Sequence, residues 1–241
     1  MIKFFRKIRQ NLLMENKTGK YLKYAIGEII LVIIGILIAL SINNWNTNRK
    51  LKSEEQNLLK DLRVEVKNNI DVLSTAINEH EKSYAVAQEF KSLFKDRDAF
   101  NSMPESSFVD MYYKMNMNWT YDPNKGILKS MISSGQINNL SNKELKYLLA
   151  SLEDIIIDAL EDTMKIEKWR DELITKFIYD AHVVVDGKIE RIEFKRLYDN
   201  PDFRLLAVLF DEVRNDGLIE ERKLKKSMNH ILELIEMEIK K

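Results

Sequence analysis

The sequence predicts an all-α chain: one N-terminal transmembrane helix followed by an elongated bundle of four or five helices. Three observations carry this. Tyr24–Trp45 reads YAIGEIILVIIGILIALSINNW, and from Ile29 to Ile42 it is apolar apart from Gly35 and Ser41. Extended back to Ala25 it is long enough to cross a bilayer, since about 20 helical residues at about 1.5 Å each span a core of roughly 30 Å. Glycine and proline are scarce, 7 and 3 in 241 residues, and Lys/Glu/Leu/Ile-rich stretches dominate, a composition suited to helix. Beyond the span, apolar residues recur at three- and four-residue steps, the period of a helix face.

The element order begins with residues 1–20, a basic segment expected on the cytoplasmic side. Within 2–13, Ile2, Phe5, Ile8 and Leu12 share a helical face opposite Lys3, Arg6, Lys7 and Gln10. That pattern reads either as an amphipathic helix on the inner leaflet or as a basic topogenic tail. Residues 21–45 are the transmembrane helix. Seven basic residues precede the apolar run against one acid, Glu15, a net +6, while the whole chain balances 38 basic against 38 acidic residues. Basic residues gather on the cytoplasmic side, so the N-terminus is expected inside and residues 46–241 are expected to form a periplasmic helical domain. Arg49, Lys50 and Lys52 weaken the contrast, but a long domain translocates largely regardless of local charge. The rival reading is a cleaved signal peptide with Ala39-Leu40-Ser41 as its small-x-small site. Tyr21, Tyr24 and Trp45, placed as interfacial anchors on both sides, favour a retained anchor.

From Asn46 to about Phe94 the chain lacks glycine and proline, and Leu59, Leu62, Val66, Ile70, Leu73, Ile77 and Tyr84 mark one face of a long helix. The spacing departs from a strict heptad, which points to a bundle rather than a dimeric coiled coil. Pro104 opens a helix to about Met115, 118–124 read as a loop, and a helix from about Lys125 stops at Gly135. Ser141-Asn142-Lys143-Glu144 reads as a capping box that starts a helix through Leu145, Leu149, Leu152, Ile156 and Met164, reaching toward Tyr179. Residues 182–200 are the least helical. HVVVDGKIERIEF is compatible with a small hairpin at Asp186-Gly187 or with an irregular connection. Asn200-Pro201 opens the last helix as cap and first-turn proline, with a kink expected near Asn215-Asp216-Gly217. Its final face is Leu224, Met228, Ile231, Leu232, Ile235 and Ile239.

The candidate sites are few. Glu28 is an ionisable group within the span, and Gly27, Gly35 and Ala39 lie close to its face. Small residues at four-residue steps let helices approach, and an intramembrane carboxyl can bond across them. This set is a candidate membrane helix contact, set against a solvated glutamate at the end of a monomeric anchor. Trp119, Tyr121 and Asp122, with Tyr112, Tyr113, Met111, Met115 and Met117 nearby, are a candidate ligand or partner surface, set against an ordinary bundle core. His230 and Glu233 share a face but are too few for a catalytic zinc site, and His80 beside Glu79 and His182 near Asp180 are weaker still. The chain has no cysteine, no phosphate loop and no nucleophile elbow. No cofactor and no metal is expected, and a mildly acidic outer domain argues against nucleic acid.

Two stretches resemble a bacterial family of uncharacterised single-span membrane proteins with a domain of unknown function. The first is IKFFRKIRQNLLMENKTGKYLKYAIGEIILVIIGILIALSINNWN at 2–46, above all GEIILVIIGILIAL followed by INNWN. The second is YDPNKGILKSMISSGQINNLSNKEL at 121–145. Similar members have an aromatic-rich lead-in and a helix ending in Ser-Gly, and Ile127-Leu128-Lys129 stands where others often have a more acidic stretch. The resemblance implies an inner-membrane protein facing the periplasm and supplies no activity. The expected role is non-enzymatic: an envelope scaffold or interaction protein bound to the lipid bilayer and to a protein partner or to itself. The alternative is a periplasmic ligand-sensing bundle that acts through a partner span.

Overall fold

The computed structural model of the chain describes residues 18–169, 177 and 181–240. The amphipathic segment expected over 2–13 lies outside them. Helix α1, Thr18–Leu93, runs 76 residues. Contacts divide the chain into two units, Met1–Glu55 and Gln56–Lys241.

In the first unit the part of α1 from Ile26 to Ile42 leaves its large apolar side chains about half exposed or more, Leu31 at 65%. It is the one described helix apolar and long enough to be a candidate membrane span. Beyond it, the Arg49 guanidinium lies 5.8 Å from the Trp45 ring centroid, and residues 46–54 remain exposed. The second unit starts at Gln56, ten residues past the boundary expected at residue 46.

In the second unit, α1 buries the predicted face, Leu59, Leu62, Val66, Ile70, Leu73 and Ile77, together with Ala76. Helix α2, Arg97–Ser102, is capped by Asp96, whose carboxylate accepts the Asp98 and Ala99 N–H groups at 2.9 and 3.0 Å. Helix α3, Glu105–Met115, starts after Pro104 as expected. After an irregular stretch, α4, Gly126–Ser133, ends before Gly135. That glycine has φ 75°, a left-handed conformation favouring glycine, and Gln136–Asn139 form a 3-10 turn. Helix α5 is Lys143–Trp169; its expected extension toward Tyr179 passes beyond the described stretch. Its cap is Asn142, not Ser141: the Asn142 side chain accepts the Leu145 N–H at 3.0 Å. The helix begins one residue later than the capping-box pattern implies, in the register that seats Leu145 in the core.

Strands β1, His182–Val185, and β2, Lys188–Ile192, form an antiparallel hairpin. Asp186 and Gly187 both have positive φ, 50° and 74°, the turn that matches strand twist. Of the two readings left open for 182–200, the hairpin is the one observed, followed by a 3-10 turn at Phe194–Asp199. Helix α6, Pro201–Ile239, is capped by the Asn200 side chain, which accepts the Asp202 and Phe203 N–H groups. It runs unbroken through Asn215-Asp216-Gly217, where a kink was expected. A Cβ on Gly217 would stand 3.5 Å from the Asp162 Cβ and 3.7 Å from the Thr163 Oγ1. The glycine faces α5 with room for a methyl group at ordinary contact distance.

The fold is therefore all-α with one small hairpin. Its apolar residues form two cores. The first joins α1, α4, α5 and the C-terminal half of α6 around Leu59, Leu62, Met131, Leu149, Met228 and Ile235. The second is aromatic, around Phe90, Phe100, Phe108, Phe203 and Phe210, with Phe108 and Phe194 stacked at 4.4 Å. Each fully buried aliphatic or aromatic side chain contributes about 1.5–3 kcal/mol by leaving water.

Candidate functional site

The apolar stripe of α1 is interrupted at Glu65, Asn69, His80 and Ser83, and all four are buried. A buried polar side chain needs a partner, and each finds it in the backbone of one segment, Met115–Leu128. The Ser83 hydroxyl donates to the Met115 carbonyl at 2.9 Å. The Trp119 N–H donates to His80 Nε2 at 3.0 Å. The Asn69 amide donates to the Asn124 carbonyl at 2.7 Å and accepts the Asn124 N–H at 2.8 Å. The Glu65 carboxylate accepts the Ile127 and Leu128 N–H groups at 2.7 and 3.0 Å, and so stabilises the free donors and the dipole at the start of α4. As the segment number rises its α1 partner number falls, so the segment runs antiparallel to the helix.

The other side of the segment is held by α5 and α6. The Arg214 guanidinium donates to the Met117 carbonyl at 2.8 Å and to the Asn118 side chain at 3.0 Å. Burial pushes its pKa down to about 10, partly offset by the Glu221 charge. Glu221, fully buried, holds His80 Nδ1 at 2.9 and 3.0 Å from its two oxygens and accepts the Thr163 hydroxyl at 3.0 Å. These groups lie where the two cores give way to each other along α1, α5 and α6. Among the described residues, Tyr112 Oη, Asn116 Oδ1 and Arg214 Nε are buried without a hydrogen-bond partner near the root of this segment.

A histidine between a carboxylate and a third group is an arrangement used in catalysis. Here the nitrogen that would act as base is bonded to the Trp119 amide, so Nδ1 carries the ring proton and donates it to Glu221. The pair positions a loop.

The sequence-derived candidates divide. Trp119 is 45% exposed and Asp122 is exposed, its carboxylate accepting the Thr120 hydroxyl at 3.2 Å. Tyr121 is buried, with its hydroxyl 3.5 Å from Met228 Sδ and its pKa raised by desolvation. It is a core residue and not part of a surface, because its ring fills the first core. Tyr112 and Met115 are likewise buried, while Tyr113 and Met117 are exposed. In the span, Gly27 and Gly35 face open space within 4 Å, Ala39 is exposed and Glu28 is half-buried. His230 Nε2 lies 2.9 Å from Glu144 and Nδ1 lies 3.9 Å from Glu233, on an exposed face. Among the described residues no group of three or more His, Asp or Glu is arranged to hold a metal ion. The side chain of His182 lies outside the described residues.

Sequence reasoning passed over the His80–Glu221 pair. A signal was present: His80 continues the stripe Leu73, Ile77, Tyr84, and Glu221 continues Arg214, Leu218, Leu224, Met228. Ionisable groups in line with an apolar stripe are buried, and buried ions are partnered.

A family model described as a family of unknown function (DUF6090) matches residues 28–164, more than half of the chain. The match takes in the apolar part of α1 and the whole pinned segment. No curated protein and no solved structure matches.

Proposed function

This chain belongs to the family of unknown function DUF6090, and we propose that it is a membrane-anchored interaction protein of the bacterial cell envelope. In this reading the protein is single-pass, with its N-terminus in the cytoplasm and its helical domain in the periplasm. The observation that carries it is the contrast along α1: Ile29, Leu31, Ile34 and Ile38 leave half or more of their surface exposed, while Leu59, Leu62 and Leu73 on the same helix are fully buried. An apolar helix without protein cover belongs in lipid. The net +6 before the span supports the orientation. A non-enzymatic role is supported by the occupied nitrogens of His80 and by a site composed of backbone-holding contacts. Cross-linking in intact membranes followed by purification tests it. A reproducible partner, or a self-cross-link lost in Gly35→Leu, is the expected result; recovery of the chain alone at several cross-linker lengths overturns it.

A second reading, a ligand-sensing bundle acting through a partner span, draws on the exposed Trp119 and Asp122 in a loop held mainly by polar contacts. Thermal-shift screening against envelope metabolites separates the two, since a ligand that binds the folded state raises its stability.

A further inference from the structure

The polar layer ties the position of one proton to the position of one loop. While the loop is seated, His80 Nε2 accepts the Trp119 N–H at 3.0 Å, so that nitrogen is unprotonated, and the ring proton sits on Nδ1 against Glu221. A proton added to Nε2 turns it from acceptor to donor and sets two N–H groups against each other. We propose that the Trp119 loop is an acid-released latch: protonation of His80 at Nε2 unseats residues 117–120 from the bundle. The balance is simple. One proton from solvent takes the Nε2 lone pair, the Trp119 N–H turns to water, and no covalent bond breaks. The released form holds one more proton than the seated form, so falling pH favours release.

The charges facing His80 set the direction. From α6 come Glu221, at Nδ1, and Arg214, whose guanidinium is bonded to the loop itself. On α1, Glu79 pairs with Lys82, Glu81 pairs with Arg222, and Tyr84 is half-buried. On α5, Asp162 pairs with Lys165; on the loop, Asp122 is exposed. Among these only Glu221 and Arg214 share the buried layer. A proton at Nε2 puts two cations, His80 and Arg214, beside one carboxylate. Unseating the loop relieves this by letting water reach Arg214. The loop moves rather than the bundle because Met117 and Trp119 are about half exposed while Met115 and Tyr121, at its ends, are anchored in the cores. The unpartnered Asn116 Oδ1 and Arg214 Nε further weaken the seated form.

The test uses the full chain in a membrane mimetic. Amide hydrogen exchange at Trp119, corrected for the intrinsic effect of pH, is followed from about pH 8 to 5, where imidazoles titrate. Emission from Trp119 is read in a Trp45→Phe, Trp169→Phe background. A reversible fall in protection of about tenfold or more, with unchanged helix content, is expected, together with a shift in emission. His80→Gln should abolish the pH dependence, and Glu221→Gln, which removes the carboxylate bonded to Nδ1, should alter it. Constant protection and emission across the range in the unsubstituted protein overturn the proposal. So does a transition that persists unaltered in either variant.

Discussion

Asn69 and Asn124 exchange two hydrogen bonds, with the side chain of the first pairing both backbone groups of the second at 2.7 and 2.8 Å. A helix side chain thus does for the loop what a neighbouring strand does in a sheet. Asn69→Ala removes both side-chain partners of the Asn124 backbone; Asn124 is exposed, so water replaces them in part and each bond is worth about 0.5–1.5 kcal/mol. A loss of about 1–3 kcal/mol is expected in urea unfolding of the full chain in micelles. Asn69→Asp, which keeps the acceptor and loses the donor, should fall between. An Asn69→Ala midpoint equal to that of the parent chain rules the contact out as a support.

Glu65 makes a charged cap from outside the helix it caps. Glu65→Gln keeps one acceptor but loses the charge at the N-terminus of α4, a loss of about 1–2 kcal/mol. Amide exchange should accelerate at Ile127 and Leu128 first, since these donate to the carboxylate. Uniform acceleration over all helices would contradict a local role.

Gly217 offers a test of opposite sign. A methyl group there meets neighbours at 3.5 Å or more, ordinary contact, while glycine within a helix is less favourable than alanine by about 0.5–1 kcal/mol. Gly217→Ala is expected to raise stability by a few tenths up to about 1 kcal/mol, and Gly217→Leu to lower it by pushing α6 off α5. Calorimetry on both variants distinguishes close packing from a hinge, because a hinge glycine would make the alanine variant destabilising too.

Arg97 holds the Asp199 carboxyl below its usual range through a side-chain hydrogen bond, and the same guanidinium lies 4.4 Å from the Tyr198 ring centroid. A carboxylate with a depressed folded-state pKa contributes stability that is present above the unfolded value and lost as pH falls through the folded one. Asp199→Asn should therefore lower stability slightly at neutral pH and converge with the parent chain below about pH 4, which flattens the acid limb. The pair is exposed, so added salt should erase most of the difference.

The absence of cysteine from the sequence makes orientation directly measurable. Tyr147, 69% exposed, becomes a clean reporter as Tyr147→Cys, and Lys17→Cys marks the other side of the span. With the domain outside, a membrane-impermeant maleimide labels Tyr147→Cys in intact spheroplasts and reaches Lys17→Cys only after lysis. The reverse pattern inverts the proposed topology.

Local rules made much of the fold legible. The apolar period on α1 and the Asn200-Pro201 cap appear as expected, as does the stop at Gly135, because each depends on residues within a few positions of one another. The capping-box reading at Ser141 missed by one residue. Ser141 and Asn142 are both good caps, and the choice between them depends on where Leu145 enters the core. Near Asn215-Asp216-Gly217, where a kink was expected, the helix is continuous, with α5 packed against the glycine.

By itself the sequence determined the longer helices, the apolar span and the positions of the polar residues along each stripe, through periodicity and charge. Only the tertiary structure decided what those polar residues do. His80 and Glu221 lie 141 positions apart, and Asn69 and Glu65 reach a loop more than 50 positions away. A buried polar group must find a partner, but which one it finds depends on how the helices pack. The loop around Trp119 entered as an aromatic stretch with two readings, and packing alone made it a segment pinned along one helix by four buried side chains.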